Sequence, residues 1–380
     1  MQKQIPFFRA FLTGDELKNV KRVLDSHWLT TGIETKAFEK EFCRFTGAKY
    51  AVGLNSCTAA LHLSLIALGI KKDDVVITTP FTFASTANVI EHMNASLRFV
   101  DVNEDDFTID LDKAEKVLSS KVKAVIPVHY AGSVCDLERL EKMCKSKKVK
   151  IIQDSAHCIE GKWNGKHVSN YGDTTCYSFY ATKNITTGEG GMVTSKNSSL
   201  MEKIRILSLH GLSKNAWSRY SKKGNAFYQI IYPGFKYNMF DVQAAIGRAQ
   251  LKKISVMRKM RKKVDALYRK TLSDIDGIRF QKTIKQVTHA HHLFVVDLNT
   301  RKSKIKRTKL MEILSMNNIA YSVHFTSLHL HPYYKNKYKF KPNDFPVANR
   351  LSREIISLPF FAEMQEEDVV RVAKCFKKAR

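Results

Sequence analysis

Four short apolar runs, Val75–Thr78, Leu97–Val100, Val122–Ile126 and Val149–Gln153, are each followed by a stretch with helical spacing. That alternation constrains the fold more than any other feature. Strands that recur after intervening helices need crossover connections, which predicts a mostly parallel sheet covered by helices. Near the start, Thr13-Gly14-Asp15-Glu16 has the form of a capping box ahead of Leu17, Val20 and Leu24. After Phe240 the pattern changes. Residues 241–272 contain no proline and one glycine and carry Val242, Ala245, Ile246, Ala249 and Ile254 on one side, which predicts a long helix. Strands near Leu293–Leu298 and Ile319–His324 and a last helix over Glu366–Phe376 complete the reading. With 380 residues and 44% hydrophobic content the chain can bury one large core and a smaller one. The expected architecture is α/β, with a large domain over 1–250 and a smaller C-terminal α/β domain over 251–380.

Lys183 lies in Ser178-Phe179-Tyr180-Ala181-Thr182-Lys183-Asn184, between a strand-like run and the turn Thr187-Gly188-Glu189-Gly190-Gly191. A lysine held where its amine loses a proton forms Schiff bases with aldehydes, because only the neutral amine attacks the carbonyl carbon. In a chain with 63 Lys and Arg, a single lysine is otherwise a surface group, so its partners decide. Upstream, the apolar run ending at Gln153 leads into Asp154-Ser155-Ala156-His157, which puts a carboxylate at the C-terminal edge of a strand. A buried Asp there either caps the following turn or keeps the ring nitrogen of pyridoxal phosphate protonated. His157 is either a satisfied core histidine or a neighbour of that cofactor's phenolic oxygen. A phosphate cradle is offered by Asn55-Ser56-Cys57-Thr58-Ala59, where a helix opens after Tyr50–Leu54 and presents backbone N–H groups at Thr58 and Ala59, with Ser178 adding a hydroxyl. A plain Ser/Thr helix cap is the competing reading of the same residues. Together, in this order, they point to pyridoxal 5'-phosphate.

No apolar run reaches the ~18 residues needed to cross a bilayer, and Met1-Gln2-Lys3-Gln4-Ile5-Pro6 has no signal-peptide core, so a cytoplasmic protein is expected. Seven scattered cysteines without a C-x-x-C pair argue against a disulfide framework and a zinc site. The cluster His289-Ala290-His291-His292 lacks neighbouring Cys or carboxylate ligands, so no metal is expected. The net charge of +27 concentrates in Lys252-Lys253, Arg258–Lys263 and Arg301–Arg307. It suits a solvated face, a nucleic acid or an anionic diphosphate substrate, but no nucleic-acid fold signature accompanies it.

The ordered segments Trp28–Gly32, Ser56–Ala59, Pro80–Thr86, Pro127–Gly132, Asp154–His157, Lys183-Asn184, Gly190-Gly191, Pro233–Asn238 and Leu328–Tyr334 resemble the DegT/DnrJ/StrS family of nucleotide-sugar aminotransferases, of fold-type I. The resemblance runs end to end. It implies that Lys183 carries the cofactor, Asp154 pairs with the ring nitrogen and Phe83 stacks on the ring. Thr58, Ala59 and Ser178 would hold the phosphate, with Asn238 reaching it from a neighbouring subunit of a homodimer. A related branch that dehydrates has histidine in place of the lysine, and Lys183 argues against it. Many members have Asn-Tyr-Arg where this chain has Lys236-Tyr237-Asn238, and many have Gln where His157 stands; the Lys-Tyr-Asn form is similar to the 4-amino-4-deoxy-L-arabinose branch. The implied reaction takes an amino group from L-glutamate to C4 of a nucleoside-diphosphate 4-keto sugar, in surface glycan or glycolipid synthesis. Thr30, His324 and His329 would meet the sugar, against the alternative that the two histidines satisfy core hydrogen bonds. Amination of a 3-keto sugar, and a basic nucleic-acid-binding protein that retains the fold, are the competing functions.

Overall fold

The computed structural model describes residues 3–213, 228–299 and 302–380. Chain order gives β1 (Tyr50–Leu54), β2 (Val75–Thr78), β3 (Ser96–Phe99), β4 (Val122–Val125) and β5 (Lys150–Asp154). A hairpin of β6 (Lys162–Trp163) and β7 (Lys166–His167) precedes β8 (Thr174–Ser178) and β9 (Gly191–Ser195). These are followed by β10 (Arg279–Phe280), β11 (Val287–Thr288), β12 (Phe294–Asp297) and β13 (Ile355–Leu358). The helices of the first two thirds are α1 (Asp15–Asp25), α2 (Ile33–Thr46), α3 (Cys57–Ala67), α4 (Ala84–His92), α5 (Leu111–Val117), α6 (Leu137–Ser146), α7 (Ser198–Ser208) and α8 (Asp241–Thr271). The last third adds α9 (Arg307–Met316), α10 (Pro332–Tyr338), α11 (Pro346–Glu354) and α12 (Glu366–Lys378).

The central sheet has seven strands in the order β1-β9-β8-β5-β4-β2-β3. From β8 to β3 every pairing is parallel, and β9 alone runs antiparallel to its neighbours β1 and β8. Strand periodicity sends Val76, Ile152, Cys176 and Val193 into one core and Val75, Ile77, Ile151, Tyr177 and Met192 into the other. Because both faces are buried, β2 reads as a continuous apolar run and not as an alternating one. A second sheet, β10-β12-β13, is antiparallel. Its Phe294, Val296, Ile356 and Leu358 share a third core with Tyr268 of α8, with Val372 and Phe376 of α12, and with Ile5 from the N-terminus. Helix α8 serves two cores, with Ile254 and Met257 in one and Val264 and Tyr268 in another.

The start of α8 also closes the start of α2. Asp241, 1% exposed, accepts from the N–H groups of Gly32 (2.7 Å), Glu34 (3.1 Å) and Thr35 (3.0 Å) and from Thr35 Oγ1 (2.7 Å). A carboxylate at the positive end of a helix satisfies donors that have no partner within the helix.

The structure corrects three local expectations. Over Ile319–His324 there is no strand, only single bridges from Ile319 to Ile5 and from Ser322 to Ser357. At its end the Tyr130 hydroxyl donates to the His324 carbonyl, which therefore bonds a side chain and not a neighbouring strand. At Thr13–Glu16 only half of the capping box forms: Thr13 N–H donates to Glu16 Oε2 (3.2 Å), while Gly14 takes the cap position with φ 90°. The basic run Arg258–Lys263 is not a uniformly solvated face, since Arg261 is buried against Glu160. Arg301 of the other basic run lies outside the described residues, as does part of the loop that leads to Asn238.

Replacing Asp241 by Asn removes the charge and turns an amide N–H₂ toward backbone donors. Denaturant unfolding at fixed protein concentration should show a loss of roughly 3 kcal/mol. A loss below about 1 kcal/mol would mean that other groups close α2.

Candidate active site

In a parallel sheet the C-terminal ends of the strands gather at one edge, and ligands bind there. Here β1 leads into Ser56 to Thr58, β2 into Thr82 and Phe83, β5 ends in Asp154, and β8 ends in Ser178 ahead of Lys183. A cavity of about 630 Å³ opens at this edge, lined among others by Ser56, Thr58, Phe83, Asp154, His157, Ser178, Lys183 and His324. Seven of the residues singled out in the sequence therefore meet in one place.

Helix α3 begins with Ser56 as its cap, whose Oγ accepts the Ala59 N–H at 3.1 Å. The Ala59 N–H is thereby used inside the protein. The N–H groups of Cys57 and Thr58 lie ahead of the first intrahelical bond, from Ala60 N–H to the Ser56 carbonyl, and remain the donors of the helix end. This end abuts β9 so closely that a side chain on Gly191 would fall 2.3 Å from the Ser56 carbonyl carbon. A glycine is required there for the helix start to reach the cavity.

Asp154 is buried at the cavity floor. Its Oδ2 accepts from Thr86 Oγ1 (2.7 Å) and its Oδ1 from the Ala156 N–H (3.1 Å). Burial pushes its carboxyl group up, against the opposing pull of those two donors and of the Lys183 ammonium. Burial also lowers Lys183 to about 8, although the charge of Asp154 works the other way. Among the described residues no protein atom hydrogen-bonds the Lys183 Nζ, and Lys183 is the single lysine or arginine lining the cavity. An amine that gives up its proton near neutral pH is fit to act as nucleophile and base.

His157 Nδ1 accepts the Ala131 N–H at 3.3 Å, which places the ring proton on Nε2. Burial, and then Lys183, hold this imidazole far below its usual range. His324, hydrogen-bonded through Nδ1 to Ser357 Oγ (3.0 Å), is brought down to about 4 by burial and by Lys183. Both rings are uncharged at neutral pH.

Three residues expected at this site lie elsewhere, and Asn238, expected to reach it from a neighbouring subunit, lies away from the cavity of its own chain. Ala59 sits behind the helix start. His329 is 1% exposed, with Nδ1 against Ser327 Oγ (2.9 Å) and its ring on Phe345, so it is packed in the core away from the cavity. Thr30 and Asn238 occupy another corner, where Asn238 Nδ2 donates to Thr31 Oγ1 (2.8 Å) and the Thr30 carbonyl accepts the Asp241 N–H (3.3 Å). Thr86 and His292 were not singled out for the site. Thr86 stands in the segment Pro80–Thr86, but its link to Asp154 spans 68 residues. His292 stood in the histidine cluster and reaches the cavity wall from the start of β12.

The donors left at the start of α3, the buried Asp154 and the weakly basic Lys183 fit the phosphate, ring nitrogen and aldehyde of pyridoxal phosphate. Sheet order, single reversed strand and cavity define a fold-type I enzyme of that cofactor class. The model of the DegT/DnrJ/EryC1/StrS aminotransferase family matches residues 11–377, and the chain belongs to this family. Spore coat polysaccharide biosynthesis protein SpsC of Bacillus subtilis (strain 168) is 41% identical over 366 residues, 96% of this chain and 94% of that protein. Spr1654 from Streptococcus pneumoniae, assigned as a sugar aminotransferase, matches in its PMP-form with a TM-score of 0.92 at 31% identity, over 99% of this chain and 98% of that one. Its PLP-form gives 0.91. PseC of Helicobacter pylori, an aminotransferase involved in the biosynthesis of pseudoaminic acid, matches with a TM-score of 0.91 at 27% identity, over 99% of each chain. The protein is a pyridoxal phosphate-dependent sugar aminotransferase.

Reductive methylation of the cofactor-free protein with formaldehyde and borohydride, read by peptide mass mapping, follows the neutral fraction of each lysine. Lys183 should reach half-maximal reaction near pH 8, well before the surface lysines. In Asp154→Asn the ammonium loses its counter-charge, so the half-point should move to lower pH. A half-point for Lys183 in the surface range would contradict the burial argument.

Proposed function

We propose that this enzyme transfers the amino group of L-glutamate to C4 of a nucleoside-diphosphate 4-keto sugar, a 4-keto-6-deoxyhexose or 4-keto pentose, for a surface polysaccharide or glycolipid. The observation that carries the transfer chemistry is Lys183 held at about 8 in one cavity with the buried Asp154. Pyridoxal phosphate supplies the carbonyl that takes up the amino group and the electron sink that lets a carbon-bound proton leave. Asp154, braced by Thr86 and the Ala156 N–H, holds a proton on the ring nitrogen. His157 offers its Nε2–H to the phenolic oxygen, and Thr58 and Ser178 take the phosphate. Lys183 removes and returns the proton at carbon as general base and acid. The C4 position rests on the motif resemblance of Trp28–Gly32, Lys236–Asn238 and Leu328–Tyr334. A role in glycan assembly is supported by the names of SpsC and PseC.

The enzyme acts as a homodimer with shared sites. Among the described residues Lys183 is the one cationic side chain lining its cavity, so a diphosphate has to meet charge from outside that wall. Phe83 at the cavity mouth is 63% exposed, and Ile33 and Phe240, next to the corner that holds Thr30 and Asn238, are also exposed. Apolar surface next to an open site suits a partner subunit that covers it. Seven free cysteines, six of them buried, suit a cytoplasmic enzyme.

Offered 3-keto and 4-keto nucleotide sugars with glutamate, the enzyme should yield an amine that NMR locates at C4. Amination solely at C3 would overturn the position and leave the enzyme class intact. Mixing inactive Lys183→Ala and Asn238→Ala chains should restore part of the activity, because one of the two sites in a heterodimer is then whole. No recovery in verified heterodimers would place Asn238 outside its partner's site.

A further inference from the structure

His292 faces the same cavity as Lys183 and has no part in the roles assigned above. Its Nδ1 lies 2.9 Å from Asn184 Oδ1. The orientation of that amide is forced, because Asn184 Nδ2 donates to Glu160 Oε2 (2.6 Å) and to the Ala290 carbonyl (2.8 Å), two groups that only accept. Oδ1 is therefore the atom turned to the ring, and it can only accept, so Nδ1 of His292 carries the proton and Nε2 is bare. Glu160 is paired in turn with the buried Arg261, whose guanidinium also donates to the Asn184 carbonyl (3.4 Å).

The neighbouring ring is fixed in the opposite sense. The centroids of His157 and His292 are 4.4 Å apart, and His157 presents Nε2–H where His292 presents a lone pair. Among the described residues neither Nε2 has a protein partner. The charged and titratable groups facing His292 are Lys183, His324, Arg261 and His289, with His157 beside it, and burial and these neighbours keep its ring uncharged. One wall thus brings together a bare nitrogen and, on the residue preceding Asn184, an amine without a hydrogen-bond partner.

We propose that His292 is a positioning residue for the Lys183 amine: the two share one cavity wall without a hydrogen bond between them in this structure, and a turn of the lysine side chain brings an N–H onto the bare Nε2 and aims the amine lone pair into the cavity, in a tautomer locked through Asn184 by Glu160. The inference rests on the reading of Lys183 as the reacting amine. An amine held by one N–H loses rotational freedom and keeps its lone pair aimed along one direction, which is what repeated proton transfer at a fixed carbon needs. The lock explains a buried ion pair behind an otherwise ordinary loop: without it the Asn184 amide could flip, and His292 would present a proton to a group that must donate one.

Three measurements test the proposal. Nitrogen-edited NMR of histidine-labelled, cofactor-free protein, assigned with His157→Gln and His292→Gln, should show His292 protonated at Nδ1 and His157 at Nε2. A proton on Nε2 of His292, or a charged ring at neutral pH, overturns it. In the reductive methylation assay, His292→Leu removes an acceptor that favours the Lys183 ammonium, so the half-point should fall by roughly half a pH unit. His292→Gln, which restores an acceptor, should recover most of that shift. An unchanged half-point in a folded His292→Leu protein overturns the contact with Lys183. In the holoenzyme His292→Leu should lower kcat roughly 10-fold to 100-fold with little change in KM for the nucleotide sugar, and Gln should restore part of it. Equal losses in Leu and Gln would reduce His292 to a packing group. These outcomes are separate from the Lys183 assignment itself, which fails if Lys183→Ala keeps full turnover.

Discussion

The arrangement depends on how closely β9 approaches the start of α3. A strand inserted antiparallel between β1 and β8 leaves those two pointing the same way, so the helix that follows β1 and the loop that follows β8 open at the same edge. The approach is close enough that Gly191 has no room for a side chain against Ser56 and Cys57. Gly190 is similarly confined, since an added carbon would lie 2.2 Å from Thr187 Oγ1. The glycine pair is therefore a packing requirement that brings an anion-binding helix end and a lysine to one cavity. The low basicity of Lys183 follows from the burial this contact creates.

Within the cavity charge is rationed. Lys183 and Asp154 have opposite preferences imposed by one cause, burial, which destabilises both charged forms. Each partly restores the other's charge. The imidazoles of His157, His292 and His324 contribute fixed donors and acceptors and no net charge, because burial and the nearby ammonium act in the same direction on all three. Such walls preserve a low local dielectric and still present polar atoms, so the few charges that remain act strongly.

The sheet was legible because both of its faces are buried. Val75-Val76-Ile77 is apolar and β-branched throughout, and Val149–Gln153 carries Ile151 and Ile152 side by side, one for each face, so strands of that kind announce themselves. Lys183, Asp154 and Ser178 were legible because each follows its strand directly. What escaped depends on pairs distant in sequence. Arg261 looked like one more cation in Arg258–Lys263, and nothing local tells that it meets Glu160, 101 residues away. His292 looked like part of a cluster with His289 and His291, yet the three rings go to different partners: Gln281, Asp265 and Asn184. Ile319–His324 has strand composition, but two isolated bridges and a tyrosine hydroxyl decide its path. Ala59 was placed correctly in its helix, while the use of its N–H by Ser56 is a matter of cap geometry that the motif does not specify.

Asp241 fixes a second corner of the chain. Its carboxylate ties the Trp28–Gly32 loop and α2 to α8, and Asn238, three residues earlier, donates to Thr31 in the same corner. Gly32 is confined there by side chains, since an added carbon would meet Trp28 Nε1 at 2.5 Å and Asp241 Oδ2 at 2.6 Å. The chain thus fixes two rigid corners: one holds the amine and its counter-charge, and the other holds polar side chains on a surface with exposed Leu29, Ile33 and Phe240. A corner held rigid by a buried carboxylate yet bordered by uncovered apolar side chains has the properties of a surface made to meet another one. Among the described residues no other lysine or arginine lines the cavity of Lys183, where each added positive charge would lower the amine further and weaken its proton transfer.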